Sequence, residues 1–205
     1  MSLLLESIRF ENNRFHHLDF HQERMNRSAR ELLGSKAPEL EKELENRMDQ
    51  FRESNPGGNQ CFKFRVLYDQ EIRKVEWAVY QQPTIRSLKM VEASQIDYSH
   101  KYADREVLNE LLMQRGRCDD ILMIKEGRIT DTSFCNVVFY NEKQWLTPAY
   151  PLLKGVQREV LLKQEIIQTA DIRVEDLGNF SKLRLINALL PFEKAPELKI
   201  SQTFS

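Results

Sequence analysis

A chain of 205 residues, 41% hydrophobic and 30% charged, sets 30 basic against 31 acidic side chains for a net charge of -1. That balance excludes general disorder, which needs low hydrophobicity and a large net charge, and leaves no basic surplus for the phosphates of a nucleic acid. At this size about 70% of the extended chain's surface goes inside, enough for one ordinary domain or two small lobes.

Leu3 to Phe10 reads as a buried strand, closed by a turn at Glu11-Asn12-Asn13. A helix follows from Asp19 to Leu33, with Leu18, Met25, Ala29, Leu32 and Leu33 at helical spacing and Gly34 as its left-handed stop. Ser35 and Pro38 open a second helix striped by Leu40, Leu44, Met48 and Phe51, ending at Asn55-Pro56-Gly57-Gly58. The period then falls to two: Phe62, Phe64, Val66 and Tyr68 alternate with Lys63, Arg65 and Leu67, and Asp69-Gln70-Glu71 turns the chain into a strand from Ile72 to Tyr80. A further strand is expected at Arg86–Glu92.

The polar stretch 94–101 reads as an interlobe segment, dividing a small α+β lobe at 1–93 from a larger α/β lobe at 102–205. In the second lobe a helix is expected from Ala103 to Arg115, with Val107, Leu111 and Leu112 inward. Strands are expected at Ile121–Ile124, Val137–Tyr140 and Gln144–Leu146. Gly155 begins a helix carrying Val156, Val160, Leu161 and Ile167, and Ile172–Val174 and Leu183–Ile186 read as strands.

Cys61, Cys118 and Cys135 lie too far apart for a disulfide framework or a CxxC clip. The opening Met-Ser-Leu-Leu-Leu-Glu lacks a basic n-region, and no stretch nears the ~18 apolar residues of a membrane span. A soluble cytoplasmic protein with no membrane and no nucleic-acid partner is the expectation. His16, His17 and His21 are clustered without an HExxH frame, so no metal is expected and His21 reads as a helix-face residue. Neither GxGxxG, GxxxxGK[ST] nor GxSxG occurs.

Five segments, taken in order, resemble the class IV aminotransferases, the fold-type-IV pyridoxal-phosphate enzymes. Leu5-Glu6-Ser7-Ile8-Arg9 is similar to the family's Phe-Glu-Thr-Ile-Arg strand, and Leu18 to Met25, through His21 and Arg24, to its Leu-x-x-His-x-x-Arg-Leu helix. Lys101-Tyr102-Ala103-Asp104-Arg105 resembles the lysine segment of the aminodeoxychorismate lyase branch. Gly127 to Asn136 resembles Gly-x-Val-Thr-Glu-Gly-x-x-x-Asn, and Leu153-Lys154-Gly155-Val156-Gln157-Arg158 resembles Leu-Pro-Gly-Val-Thr-Arg. Beyond these five, Asn187-Ala188-Leu189-Leu190-Pro191 is similar to the lyase branch's Asn-Ala-Leu-Met-Pro.

The resemblance implies a two-lobed α/β architecture like that of D-amino acid aminotransferase, with pyridoxal 5'-phosphate in a cleft between lobes. It implies that Lys101 bonds to the cofactor aldehyde, Arg24 grips the phosphate with its planar fork, and Asp131 faces the pyridine nitrogen. Gly155, Val156 and Gln157 would offer the phosphate a helix start, and Ala188 a further N–H. Without the resemblance, Arg24 reads as a helix-surface arginine, Asp131 as a turn cap and Gly155 as a helix entry.

Three features depart from the family pattern: no counterpart of its leading segment ending in Gly-Asp-Gly, Asp131 where it has Glu, and Gln157 where it has Thr. The implied activity on a small amino-acid-like substrate is that of aminodeoxychorismate lyase, in a homodimer. A branched-chain or D-amino acid transaminase is the alternative, and a non-catalytic cofactor-binding remnant the third reading.

Overall fold

Apolar residues on both faces of the first strand, Leu4, Ile8 and Phe10 on one and Leu5 on the other, suit a strand covered from both sides. In the computed structural model, which describes residues 3–55 and 60–204, this is β1 (Leu4–Glu11). Asn12 and Asn13 both take positive φ, 54° and 57°, and close a tight hairpin onto the two-residue β2 (Arg14–Phe15). The chain then forms α1 (Leu18–Ser28), a π-helical turn over Ala29–Leu33, and α2 (Leu40–Ser54). Gly34 stops the π turn at φ 62°, its N–H bonded to the Ala29 carbonyl. The second helix begins at Leu40, later than Ser35 and Pro38 suggest, and its expected stripe is buried. Its expected stop at Pro56-Gly57-Gly58 lies outside the described residues. β3 (Phe62–Tyr68) and β4 (Ile72–Val79) complete a sheet of order β2-β1-β3-β4. Its helix-facing side packs Leu4, Ile8, Phe10, Phe62, Phe64 and Val66 against Met25, Leu40, Leu44 and Phe51.

The second sheet is mixed. β5 (Leu88–Glu92) runs parallel to β6 (Asp120–Lys125), which turns through Glu126 and Gly127, both at positive φ, into β7 (Arg128–Thr132). β8 (Asn136–Tyr140) and β9 (Trp145–Pro148) follow antiparallel, and β10 (Ile167–Ala170) joins β9 in parallel. β11 (Lys182–Ile186) covers the other edge of β8 and pairs with β12 (Glu197–Lys199). The helices α3 (Glu106–Met113), α4 (Val156–Lys163) and the short α5 (Ile200–Thr203) belong to this unit.

Two compact units emerge: residues up to Gln82 with His100–Asp104, and Pro83–Ser99 with Arg105 onward. These boundaries differ from 1–93, 94–101 and 102–205. β5 pairs with β6, which places residues 83–99 in the second unit. His100–Asp104 returns to the first because Leu4 bridges Tyr102, Leu5 N–H donates to the Lys101 carbonyl at 2.9 Å and Ala103 N–H to that of Leu3 at 2.8 Å.

Three local expectations need correction. The residue that α3 buries is Leu108; Val107 is 54% exposed, and Leu111 and Leu112 are half-buried. Ile167 opens β10 and does not continue α4, because Glu165 turns left-handed at φ 57° and ends the helix without a glycine. The strand expected at Ile172–Val174 is therefore found five residues earlier, where it can pair with β9.

Candidate active site

The first unit builds a buried ionic cluster where β1 meets α1. His21, Arg24, Met25 and Ser28 recur at helical spacing and are all buried, so one helix face carries two ionisable groups inward. They are tolerated because Glu6, alternating onto the helix side of β1, lies opposite. Arg24 Nε donates to Glu6 Oε1 at 2.9 Å, Arg24 Nη2 donates to Glu6 Oε2, and His21 Nδ1 meets Oε2 at 2.5 Å. Glu6 and His21 are wholly inaccessible and Arg24 is 6% exposed. Burial alone would raise the Glu6 pKa, but the Arg24 charge and the hydrogen bonds of His21 and Arg24 prevail and hold it at about 2. His21 is pushed downward, first by burial, so a neutral ring donating Nδ1–H to an ionised Glu6 fits the cluster.

This geometry disposes of the helix-surface reading of Arg24. Two of its five N–H groups are fixed on Glu6, which locks the guanidinium plane. Lys101 is half-buried beside the start of β1, close enough for its charge to bear on His21. Its neighbour His100 is buried; His100 Nδ1 lies 3.1 Å from Ser28 Oγ and Nε2 lies 3.4 Å from Glu31 Oε2. The segment bearing Lys101 is thus tied to β1 by backbone and to the α1–π junction by His100. Such π turns recur at functional sites.

The second unit builds a different carboxylate site. Asp131 on β7 is buried; its Oδ1 accepts from Asn136 Nδ2 at 2.6 Å and its Oδ2 from Leu153 N–H at 2.9 Å. Burial is the largest influence, and it outweighs those two neutral donors and the more distant Arg158 charge, so the Asp131 pKa is raised to about 6. Asp131 is not a solvent-side turn cap.

Asn136 also donates to the Leu153 carbonyl at 2.8 Å, and a Cβ added at Gly155 would fall 2.0 Å from Asn136 Oδ1. Only glycine fits there. It leaves α4 without a side-chain cap while Val156, Gln157 and Arg158 are all buried. Their N–H groups have no acceptor within the helix, and a buried, uncapped helix start suits an anion. Beyond β11, Asn187 Oδ1 accepts from Leu189 N–H at 2.9 Å, an Asx turn that leaves the Ala188 N–H outside its hydrogen bonds.

The structure therefore gathers the expected residues in two sets. Lys101 and Arg24 belong to the first unit, and Asp131, Gly155, Val156, Gln157 and Ala188 to the second. In chemical type both sets fit pyridoxal phosphate: a lysine and a fixed arginine, a buried carboxylate lacking a cation in contact, and an uncapped helix start. Sequence reasoning missed Glu6, His21, His100 and Asn136 as site residues. The visible signal was His21 and Arg24 falling on the same stripe as Met25.

The sheet pattern and this donor set define a class of protein, the class IV aminotransferases, and the profile of that family matches residues 3–193. The chain belongs to this family, whose members are pyridoxal-phosphate-dependent enzymes. Among particular relatives, it is 38% identical over 186 residues to an uncharacterised Haemophilus influenzae protein, covering 91% of this chain and 97% of that one. A crystal structure of a proposed 4-amino-4-deoxychorismate lyase from Haemophilus somnus is 33% identical, with TM-score 0.82 over 92% of this chain and 97% of that one. A hypothetical aminotransferase from Mycobacterium tuberculosis, solved with pyridoxal phosphate bound, shares the fold at 17% identity and TM-score 0.78, over 100% of this chain and 81% of that one. Among the described residues no helix is long and apolar enough to cross a membrane.

Proposed function

We propose that the protein is a pyridoxal-phosphate-dependent lyase that splits 4-amino-4-deoxychorismate into 4-aminobenzoate and pyruvate. The observation that carries this reading is the likeness, over nearly the whole chain, to the Haemophilus somnus protein named for that activity. Lys101 is the residue that bonds to the cofactor aldehyde. Arg24 and the N–H groups of Val156, Gln157 and Ala188 hold its phosphate, with Gly155 leaving the helix start uncapped. When bound, the cofactor supplies an electron sink for negative charge at the substrate carbon beside the amine. The Lys101 amine removes the proton from that carbon, a role suited to an amine that loses its own proton readily. Asp131, shielded from water, keeps a proton on the pyridine nitrogen. Loss of pyruvate is favoured because the ring left behind is aromatic.

The enzyme works in the cytoplasm as a homodimer in this reading. Support for a second copy comes from α3, where Val107 and Met113 are 54% and 79% exposed. The test is to supply 4-amino-4-deoxychorismate to the cofactor-loaded protein and measure pyruvate and 4-aminobenzoate. Equal release of both is expected. Amino-group exchange between a 2-keto acid and a branched-chain or D-amino acid, with no pyruvate release, would install the transaminase instead. Cofactor binding without turnover of either kind would make the protein a remnant.

A further inference from the structure

The face of the first sheet turned away from its helices carries an unfinished hydrogen-bonding site. Arg9 is 6% exposed, and its Nη2 donates to His16 Nδ1 at 2.9 Å. Because that ring nitrogen accepts, the proton of neutral His16 lies on Nε2. Arg9 Nε and Arg9 Nη1 are buried with no hydrogen-bond partner among the described residues, and His16 Nε2 is buried with none at hydrogen-bond distance, although the Glu11 backbone bears on the His16 ring. Every one of these orphans is a donor. Two acidic groups act on Arg9: Glu11 places Oε2 3.8 Å from Arg9 Nη1, beyond hydrogen-bond distance, and the Cys61 thiol bears on it more weakly.

The charges around the site agree. Lys63 on β3 stands directly opposite Arg9 in the ladder, and like charges so placed destabilise a sheet. Arg14 is exposed on β2, and its charge reaches both Arg9 and His16. His17 is kept neutral, its pKa lowered to about 4 by burial first and then by the Arg9 charge. Buried donors cost free energy until an acceptor arrives. An anion would satisfy the donors and relieve the Arg9–Lys63 repulsion together.

The position of this site names the ligand. The Leu4–Tyr102 bridge sets Lys101 opposite Leu5, so Lys101 shares the face of Leu5, Ser7 and Arg9. Four residues of strand separate Leu5 from Arg9, about 13 Å. We propose that Arg9, with His16 and Lys63, binds a carboxylate on the unsaturated ring of the substrate whose amine reacts at Lys101. The inference rests on the lyase reading for the identity of that ring; the anion site itself stands on Arg9 and its neighbours.

The test uses the cofactor-loaded protein, with benzoate as probe and benzamide as its neutral isostere, read by ligand-observed NMR. Wild type should bind benzoate roughly ten-fold or more tightly than benzamide. Arg9→Met should abolish that preference, Arg9→Lys should restore part of it, and Lys63→Met should weaken it by less. Cofactor affinity should be unchanged in all three, which also shows that they fold. With 4-amino-4-deoxychorismate, Arg9→Lys should raise KM far more than it lowers kcat. Benzoate preference surviving in Arg9→Met would overturn the proposal even in an active lyase. Loss of the preference in a protein without lyase turnover would uphold the anion site and reject the lyase reading alone.

Discussion

Glu6 and Asp131 are both buried carboxylates, one in each unit, and the same burial leads them in opposite directions. Glu6 touches a guanidinium and an imidazole and is held at about 2. Asp131 touches an amide side chain and a backbone N–H and rises to about 6. Desolvation penalises both charges; a cation in contact reverses the outcome and neutral donors do not. Glu6 is therefore a completed pair whose work is to fix Arg24. Asp131 has no cation in hydrogen-bond contact among the described residues, the Arg158 charge acting on it only from a distance, and that state suits the proposed role of facing a pyridinium.

The sharpest way to break this contrast is to remove the Glu6 charge. Glu6→Gln removes the charge opposite Arg24 and should cost about 3–5 kcal/mol of stability, seen as a lowered denaturation midpoint. A loss below ~1 kcal/mol would mean that Arg24 has other support. Asp131→Asn should act mainly on chemistry. Turnover should fall ~100-fold or more, because the charge matters most where the carbanion develops. Stability should change by about 1–3 kcal/mol, since the new amide forces one donor against Leu153 N–H or Asn136. Full activity in Asp131→Asn would reduce Asp131 to a structural acceptor, while Asp131→Glu should keep turnover if the strand can seat the longer chain.

The contrast also shows in pH. Glu6 is depressed below its ordinary 4.5, so its contribution is complete above that value and lost as pH falls towards about 2. Asp131 is raised above 3.8, so its contribution is complete below that value and lost as pH rises through about 6. Unfolding followed from pH 3 to 8 should show the second loss in wild type and not in Asp131→Asn. Added cofactor should move the Asp131 titration downward.

Periodic segments were legible in the sequence because burial on one face writes itself as spacing: the α2 stripe Leu40, Leu44, Met48 and Phe51, and the alternation through β3, appear in the structure as read. The end of α4 was not legible, since Glu165 takes a left-handed turn that glycine usually signals. β12 and β2 are too short to show a period. Of the site, the lysine, arginine and aspartate came from motif resemblance. Their partners did not, because Glu6 meeting Arg24 across 18 positions is a product of tertiary packing. His21 looked like an ordinary helix residue for the same reason: its meaning depends on a strand 15 residues away.

The central claim is that Lys101 carries the cofactor. The protein is loaded with pyridoxal phosphate, reduced with borohydride, digested and mapped by mass spectrometry. The account predicts one stable pyridoxyl adduct on Lys101, absent from Lys101→Ala. An adduct on Lys89, Lys125 or Lys154 instead, or none at all, would contradict it.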